Sequence, residues 1–102
     1  MLHVKDKIKQ QLKNNKTIIY MKGTPEKPLC GYSAQSIYIL NLLDIKYTYI
    51  NILEEIEIRK ELPLYSNWPT FPQLYYKEEL IGGTDIMCEL YKQNKLKNIL
   101  TK

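Results

Sequence analysis

The chain has 102 residues, of which 44% are hydrophobic and 25% are charged, and it contains two cysteines. This length and balance predict a single domain over residues 1–102 and exclude a disordered chain or a disulfide-stapled scaffold. No apolar run approaches the ~20 residues of a membrane-spanning helix, which excludes a membrane protein. The net charge of +4 comes from scattered lysines, with Arg59 as the only arginine, so we expect no nucleic-acid partner.

The spacing of apolar residues predicts helices and strands that alternate along the chain. Helices are predicted over residues 4–14, Gly31–Leu43, Glu54–Leu62 (ended by Pro63), 84–94 (capped by Thr84) and 96–100. Strands are predicted over Thr17–Met21, Tyr47–Ile52, Gln73–Tyr76 and Leu80–Ile81, the last two joined by a turn at residues 77–79. Loops rich in glycine or proline are predicted over Lys22–Leu29 and Tyr65–Pro72.

This order predicts an α/β fold with a four-stranded mixed sheet and helices on both faces. The first two strands are joined through a helix, which requires a parallel, right-handed crossover. The last two strands form an antiparallel hairpin. Packing of amphipathic helices on both sides of such a sheet buries the apolar strands.

Cys30 is the residue whose position points most directly to chemistry. It stands after a loop and at the start of a predicted helix, where free backbone N–H groups favour a thiolate. Lys22, at the other end of the same loop, can add a positive charge. The alternative is a buried structural cysteine, since free cysteines are among the most buried residues.

Three segments of the chain match short motifs of one known family. The segment KGTPEKPLCGYS, from Lys22 to Ser33, resembles the active-site segment of the monothiol glutaredoxins, whose motif reads CGFS. WPTFPQLY, from Trp68 to Tyr75, resembles its second signature, and GGTDI, from Gly82 to Ile86, its third. The blocks stand in the family's order and spacing, so the resemblance extends over nearly the whole chain and implies a thioredoxin-like fold.

The resemblance implies a protein that binds glutathione and carries a [2Fe-2S] cluster. In the family, one cluster is shared by two copies and two glutathione molecules, so it implies a monomer without cluster and a homodimer with it. Apo iron-sulfur proteins and a BolA-type protein are the implied partners. Ser33 stands where a second cysteine would resolve a mixed disulfide, which excludes a fast dithiol cycle and leaves Cys30 free to ligate iron.

The resemblance also implies a role for each residue of the site. Cys30 is the reactive residue and iron ligand, and the glutathione-binding residues are Lys22, Arg59, Phe71, Pro72, Gly83, Thr84 and Asp85. Phe71–Pro72 is implied to be a cis peptide beside Cys30. Each assignment has an alternative: a solvated Lys22, an ion pair of Arg59 with Glu55, and ordinary helix capping by Thr84 and Asp85.

Two other functions are open at the level of sequence. A glutathione-dependent thiol–disulfide oxidoreductase needs only Cys30 and so agrees with Ser33. A thioredoxin-fold adaptor without redox chemistry predicts that Cys30→Ser leaves function intact. The compartment is predicted only to be a reducing one that contains glutathione, in the cytoplasm, mitochondrion or plastid.

The chain departs from the family pattern at two positions within the motifs, and two further residues, Cys88 and His3, lie outside the motifs. Tyr32 replaces the usual phenylalanine of the motif, and its hydroxyl is predicted to face solvent. Thr84 stands where many family members have a second cysteine. Cys88 is predicted to be a core residue rather than a redox partner. His3, the only histidine, is predicted to lie in a disordered terminus and to form neither a zinc site nor a Cys–His pair.

Overall fold

A computed structural model describes residues 3–102 of the chain. The five helices of this part are α1 (Val4–Asn14), α2 (Gly31–Leu42), α3 (Ile56–Ser66), α4 (Thr84–Lys92) and α5 (Leu96–Leu100). Its four strands are β1 (Thr17–Met21), β2 (Thr48–Asn51), β3 (Gln73–Tyr76) and β4 (Glu79–Gly82). The predicted order of elements is confirmed. No helix within residues 3–102 is long and apolar enough to cross a membrane.

The strands form one mixed sheet in the order β2-β1-β3-β4. β1 pairs with β2 in parallel, with Ile18 opposite Thr48, and it pairs with β3 antiparallel, with Ile18 opposite Tyr75. β3 and β4 form the antiparallel hairpin, which turns at Lys77 and Glu78, both at positive φ. The predicted four-stranded mixed sheet is therefore confirmed, with β1 and β3 in its centre.

Helices cover both faces of the sheet, and each face has its own apolar cluster. On one face, Ile19 and Met21 of β1 pack with residues of α2, α4 and α5. On the other face, Ile18 and Tyr20 pack with residues of α1 and α3. Because consecutive side chains of a strand point to opposite faces, a strand covered on both sides is apolar throughout. All five residues of β1 are buried, as this geometry requires.

The prediction that Pro63 ends the third helix is wrong. α3 begins at Ile56 and continues through Pro63 to Ser66. A proline inside a helix removes one N–H donor, here the one that would bond the Arg59 carbonyl, and its ring crowds that carbonyl. The helix nevertheless continues for one turn, and two further bonds hold that last turn. The Ser66 hydroxyl donates to the Leu62 carbonyl at 2.9 Å, and the Pro63 carbonyl accepts the Trp68 N–H at 3.1 Å.

The prediction of a disordered His3 is also wrong. His3 is the N-cap of α1, and its Nδ1 accepts a hydrogen bond from the backbone N–H of Lys5 at 3.2 Å. The first N–H groups of a helix have no partner within the helix, and a side-chain acceptor before it satisfies one of them. His3 thus has a structural role at the start of α1.

Candidate functional site

The residues predicted to form the site line one cavity of about 710 Å³. All eight are present: Lys22, Cys30, Arg59, Phe71, Pro72, Gly83, Thr84 and Asp85. Further lining residues come from the loop between α3 and β3 and from helices α2, α3 and α4: Tyr32, Pro63, Trp68, Pro69, Thr70 and Ile86. The structure thus brings together residues that are up to 63 positions apart in sequence, from Lys22 to Asp85.

Two helices begin at this cavity. Cys30 is the N-cap of α2, and Gly83 is the N-cap of α4. Gly83 has no side chain, so the first N–H groups of α4 keep their donor capacity, whereas the first N–H groups of α2 face the sulfur of Cys30 itself. Helix N-termini carry partial positive charge, which makes this wall of the cavity suitable for anionic groups.

The surroundings of Cys30 favour its thiolate. The backbone N–H of Ser33, hydrogen-bonded to the sulfur, is the largest cause that lowers the pKa of the Cys30 thiol. Partial burial acts in the opposite direction, and the Tyr32 N–H, the charge of Lys22 and the Ser33 hydroxyl lower the pKa further. Because the sulfur is only half-buried, it is accessible from the cavity as a nucleophile or a soft-metal ligand.

Ser33 has a second role that sequence reasoning missed. Its side chain is fully buried, and its hydroxyl oxygen accepts the backbone N–H of Lys22 at 3.1 Å. The residue that replaces a second thiol therefore also joins the end of β1 to the first turn of α2. This bond fixes where the loop between Lys22 and Cys30 begins.

That loop is held closed by backbone geometry and by Asn51. Gly23 has φ +92°, and a Cβ at this position would lie 2.5 Å from the Lys27 carbonyl oxygen, so only glycine fits. The Asn51 side-chain oxygen accepts the N–H groups of Gly23 at 2.9 Å and of Leu53 at 3.0 Å. Sequence analysis missed Asn51. An asparagine at the end of a strand, where side-chain capping of turns is common, is the signal that could have identified it.

The opposite wall of the cavity contains the predicted cis peptide. The Phe71–Pro72 bond is cis, and both residues lie just before β3. The buried Gln73 holds this wall through its side-chain amide, which donates to the carbonyls of Trp68 at 2.9 Å and Thr70 at 3.2 Å. Gln73 was also missed. A polar residue in a strand is expected to face solvent unless both faces of the sheet are known to be covered.

Gly83 brings the start of α4 close to that wall. A Cβ at Gly83 would lie 3.2 Å from the Pro72 carbonyl oxygen and 3.5 Å from Trp68 Nε1. Trp68 Nε1 is buried and has no hydrogen-bond partner within residues 3–102. The close approach of the Pro72 carbonyl to Gly83 accounts for the glycine at this position.

The prediction that Thr84 caps α4 is wrong. Thr84 is the first residue of the helix, and its side chain is buried. Its hydroxyl donates to the Tyr32 carbonyl at 3.0 Å and lies 2.9 Å from the Ser36 hydroxyl. Its side chain is thus engaged with α2, and only its backbone N–H is left for a ligand. Asp85, by contrast, is exposed at the cavity rim.

The cations at the site are not neutralised by neighbouring carboxylates. The alternative for Arg59, an ion pair with Glu55, does not occur, because Glu55 pairs with Lys7 at 3.0 Å. The other ion pair within residues 3–102 joins Lys5 and Glu61 at 3.8 Å. Lys22 and Arg59 belong to neither pair, so both charges are available to an anionic ligand.

Cys88 lies outside this cavity. It is half-buried on α4, packs against the apolar cluster of that face, and its sulfur accepts a hydrogen bond from Gln35 Nε2 at 3.1 Å. Cys88 thus packs against the core, as predicted, and its sulfur lies at the edge of the core. Tyr32, as predicted, is exposed, at 63%.

Comparison with known proteins gives one consistent result. The family model described as Glutaredoxin matches residues 17–81. Glutaredoxin 4 of Buchnera aphidicola subsp. Schizaphis graminum is 51% identical over 100 residues, 98% of this chain and 94% of that protein. The solution structure of reduced poplar apo GrxS14 is 40% identical and superposes with a TM-score of 0.80, covering 93% of this chain and 87% of that one.

A more distant structure has the same fold. The crystal structure of a buckwheat glutaredoxin–glutathione complex is 24% identical, with a TM-score of 0.83 over 94% of this chain and 86% of that one. These similarities confirm the predicted thioredoxin-like fold.

Proposed function

The chain belongs to the glutaredoxin family, and from this premise we propose that it binds glutathione beside Cys30 and carries a [2Fe-2S] cluster in iron-sulfur protein maturation. The observation that carries the proposal is the set of groups in the cavity. One accessible sulfur, two unpaired cations and two helix N-termini face the same space.

Glutathione matches this set of groups. It has a thiol, two carboxylates and one ammonium group. Arg59 and Lys22 are suited to the glycine carboxylate, and the N–H groups at the start of α4 to the γ-glutamyl carboxylate, with Asp85 beside its ammonium. The backbone of Phe71 precedes β3 and is free to pair with the cysteinyl part, like a short added strand.

The cluster, as cargo, requires ligands from outside this chain. Within residues 3–102 there is no group of three or more His, Cys, Asp or Glu side chains that could hold a metal ion. Cys30 supplies one thiolate, whereas a [2Fe-2S] cluster takes four. One glutathione supplies a second thiolate. Another copy of the chain, with its own glutathione, supplies the remaining two thiolates. We therefore propose a monomer without cluster and a homodimer with it.

The partners follow from this proposal. A carrier delivers its cluster to apo iron-sulfur proteins, and a BolA-type protein is the further partner that the family suggests. A glutathione thiolate must be present at the site, so the proposal places the chain in a reducing compartment.

Anaerobic reconstitution tests the proposal. The protein is incubated with iron and sulfide, with and without glutathione, and followed by visible absorption and size-exclusion chromatography. We expect a coloured dimer that requires both Cys30 and glutathione, is lost in Cys30→Ser and persists in Cys88→Ser. A colourless monomer under all conditions would contradict the proposal.

A thiol–disulfide oxidoreductase is the second candidate, and the lowered pKa of Cys30 favours it. The Cys30 thiolate would attack the glutathionyl sulfur of a mixed disulfide, and the substrate thiolate would leave. A second glutathione thiolate would then attack the glutathionyl sulfur on Cys30, which releases oxidised glutathione and restores Cys30. Turnover of a glutathione mixed disulfide by apoprotein that fails reconstitution would favour this function.

A further inference from the structure

A chain of hydrogen bonds connects two buried hydroxyl groups to the first turn of α2. Thr84 carries one hydroxyl proton, and the Tyr32 carbonyl, 3.0 Å away, can only accept it. The 2.9 Å contact between Thr84 and Ser36 must therefore have the Ser36 hydroxyl as donor. The direction of donation is thus fixed from Ser36 to Thr84 to the Tyr32 carbonyl.

The carbonyl that receives this bond belongs to a peptide group next to the reactive sulfur. The Tyr32 carbonyl and the Ser33 N–H are the two ends of one peptide unit. Ser33 is the third residue of α2, and in a helix the N–H of this position faces the side chain of the N-cap, which here is Cys30. The same N–H is the largest cause of the lowered pKa of the Cys30 thiol. A hydrogen bond accepted by the oxygen of an amide polarises that amide and strengthens its N–H as a donor.

We infer that Thr84 is a positioning residue for Cys30. Its hydroxyl, supported by Ser36, fixes and polarises the Tyr32–Ser33 peptide whose N–H faces the sulfur. This inference rests on the proposal that Cys30 is the reacting sulfur, and it assigns Thr84 a different role from glutathione recognition through its side chain.

Burial separates these two roles for Thr84. Thr84 is 6% exposed and Ser36 is 0% exposed, so neither hydroxyl is open to a ligand in the cavity. The proton of the Thr84 hydroxyl and one of its lone pairs are already engaged. Polar networks that are buried and fully satisfied hold their members in one arrangement. The hydroxyl therefore ties α4 to α2 behind the sulfur.

The test compares three variants in the full chain. Thr84→Val keeps the side-chain volume and removes the hydroxyl, whereas Thr84→Ser keeps the hydroxyl. Ser36→Ala removes only the outer bond and leaves the bond from Thr84 to the Tyr32 carbonyl. Thermal unfolding of each variant shows which are folded, and if Thr84→Val is not, Ser36→Ala and Thr84→Ser carry the test.

The first measurement is the amide proton shift of Ser33 in the reduced apoprotein, read by NMR. A weaker donor gives a smaller downfield shift, so we expect Thr84→Val to move the Ser33 signal upfield. Ser36→Ala is expected to move it in the same direction by a smaller amount, and Thr84→Ser to restore it. A general loss of packing would instead move signals throughout α2 and α4.

The second measurement is the equilibrium between free Cys30 and its mixed disulfide at a fixed ratio of reduced to oxidised glutathione. Peptide mass mapping distinguishes Cys30 from Cys88. A weaker Ser33 N–H stabilises the released thiolate less, so Thr84→Val should increase the ratio of disulfide to thiolate about two- to four-fold. Thr84→Ser should match the wild type.

Either of two results would overturn the inference. One is a folded Thr84→Val protein with the wild-type Ser33 signal and disulfide ratio. The other is failure of Thr84→Ser to restore them, since side-chain volume rather than the hydroxyl would then matter. A wild-type protein that forms no mixed disulfide at Cys30 would contradict the proposed function instead, and the Ser33 signal would still test the role of Thr84.

Discussion

Two cavities within residues 3–102 lie at opposite ends of β1. The first, of about 710 Å³, lies where β1 leads into the loop before Cys30. The second, of about 570 Å³, lies beside the start of β1 and is lined by Lys16, Asp44, Lys46 and Thr48 among others. Two lysines line the second cavity, and a lysine and an arginine line the first. Volume and nearby cations therefore do not distinguish them.

Helix direction does distinguish them. α2 and α4 begin at the first cavity, which presents N–H groups. α1 and α2 end at the second cavity, where Asn14 and Asp44 lie, and α5 ends there with Leu100. Helix C-termini present carbonyl groups and partial negative charge. Only the first cavity therefore favours a thiolate, because α2 and α4 begin there, whereas α1, α2 and α5 end at the second cavity.

The largest expected effect concerns the loop that closes the first cavity. Gly23→Ala places a Cβ 2.5 Å from the Lys27 carbonyl oxygen at φ +92°, so we expect a loss of about 2–3 kcal/mol of stability. Gly31→Ala is the matched control, because a Cβ there has no atom within 4 Å, and its effect should stay within about 0.5 kcal/mol. Urea unfolding measures both. Equal stability of the two variants would contradict the view that this loop depends on Gly23.

A transplanted thiol tests helix direction itself. In a Cys30→Ser and Cys88→Ser background, Thr48→Cys places a sulfur in the second cavity near Lys16 and Lys46. We expect it to react with iodoacetamide at pH 7 about ten times more slowly than Cys30, because N–H donors are missing there.

Mass spectrometry of the alkylated protein gives the two rates, with Cys88→Ser alone as the reference for Cys30. Equal rates would mean that nearby lysines, rather than helix N-termini, determine thiol reactivity in this fold.

The same comparison shows what could be predicted from sequence. Strands β1 and β3 and the amphipathic α1 follow from periodicity alone, because burial of one or both faces dictates the residue pattern. Cys30 and Lys22 follow from their positions at the two ends of one loop before a helix. The other site residues required the family resemblance, because nothing in the local sequence around Arg59 or Asp85 indicates that they meet at Cys30.

The residues that were missed or misread share a physical reason. Asn51 and Gln73 act through side-chain bonds to loop backbones, and which loop carbonyls or N–H groups come within reach is decided by the folded path of those loops. Thr84 was read as a cap because it stands at a helix start, whereas its hydroxyl is engaged with α2. Pro63 was read as a helix end because local propensity was weighed without the buried Leu62 beside it.

Arg59 tests whether the first cavity recognises a carboxylate. Arg59→Ala should weaken binding of S-methylglutathione, a probe that cannot form a disulfide, about five- to ten-fold, because a guanidinium pairs strongly with a carboxylate. Calorimetric or NMR titration measures the affinity.

Lys60→Ala is the matched control, because Lys60 is an exposed cation on the same helix that does not line the cavity. Its affinity should stay within about two-fold of wild type, since exposed charges at a distance are screened by salt. An equal loss in both variants would mean that net charge, rather than a specific contact, draws the ligand.

The smallest expected effect distinguishes how much the N–H groups and how much the cations of the first cavity stabilise the Cys30 thiolate. The alkylation rate of Cys30 should follow its ionisation, with a midpoint below the ordinary pKa of a thiol. The Ser33 N–H, the largest cause of the lowered pKa, remains in Lys22→Gln, whereas one cation is lost. The pKa should therefore rise towards the ordinary thiol value, which slows alkylation at pH 7 about three-fold. Lys27→Gln, in the same loop but outside the cavity, should leave the midpoint unchanged. A midpoint equally unchanged in Lys22→Gln would mean that hydrogen bonds to the sulfur, rather than the lysine charge, stabilise the thiolate.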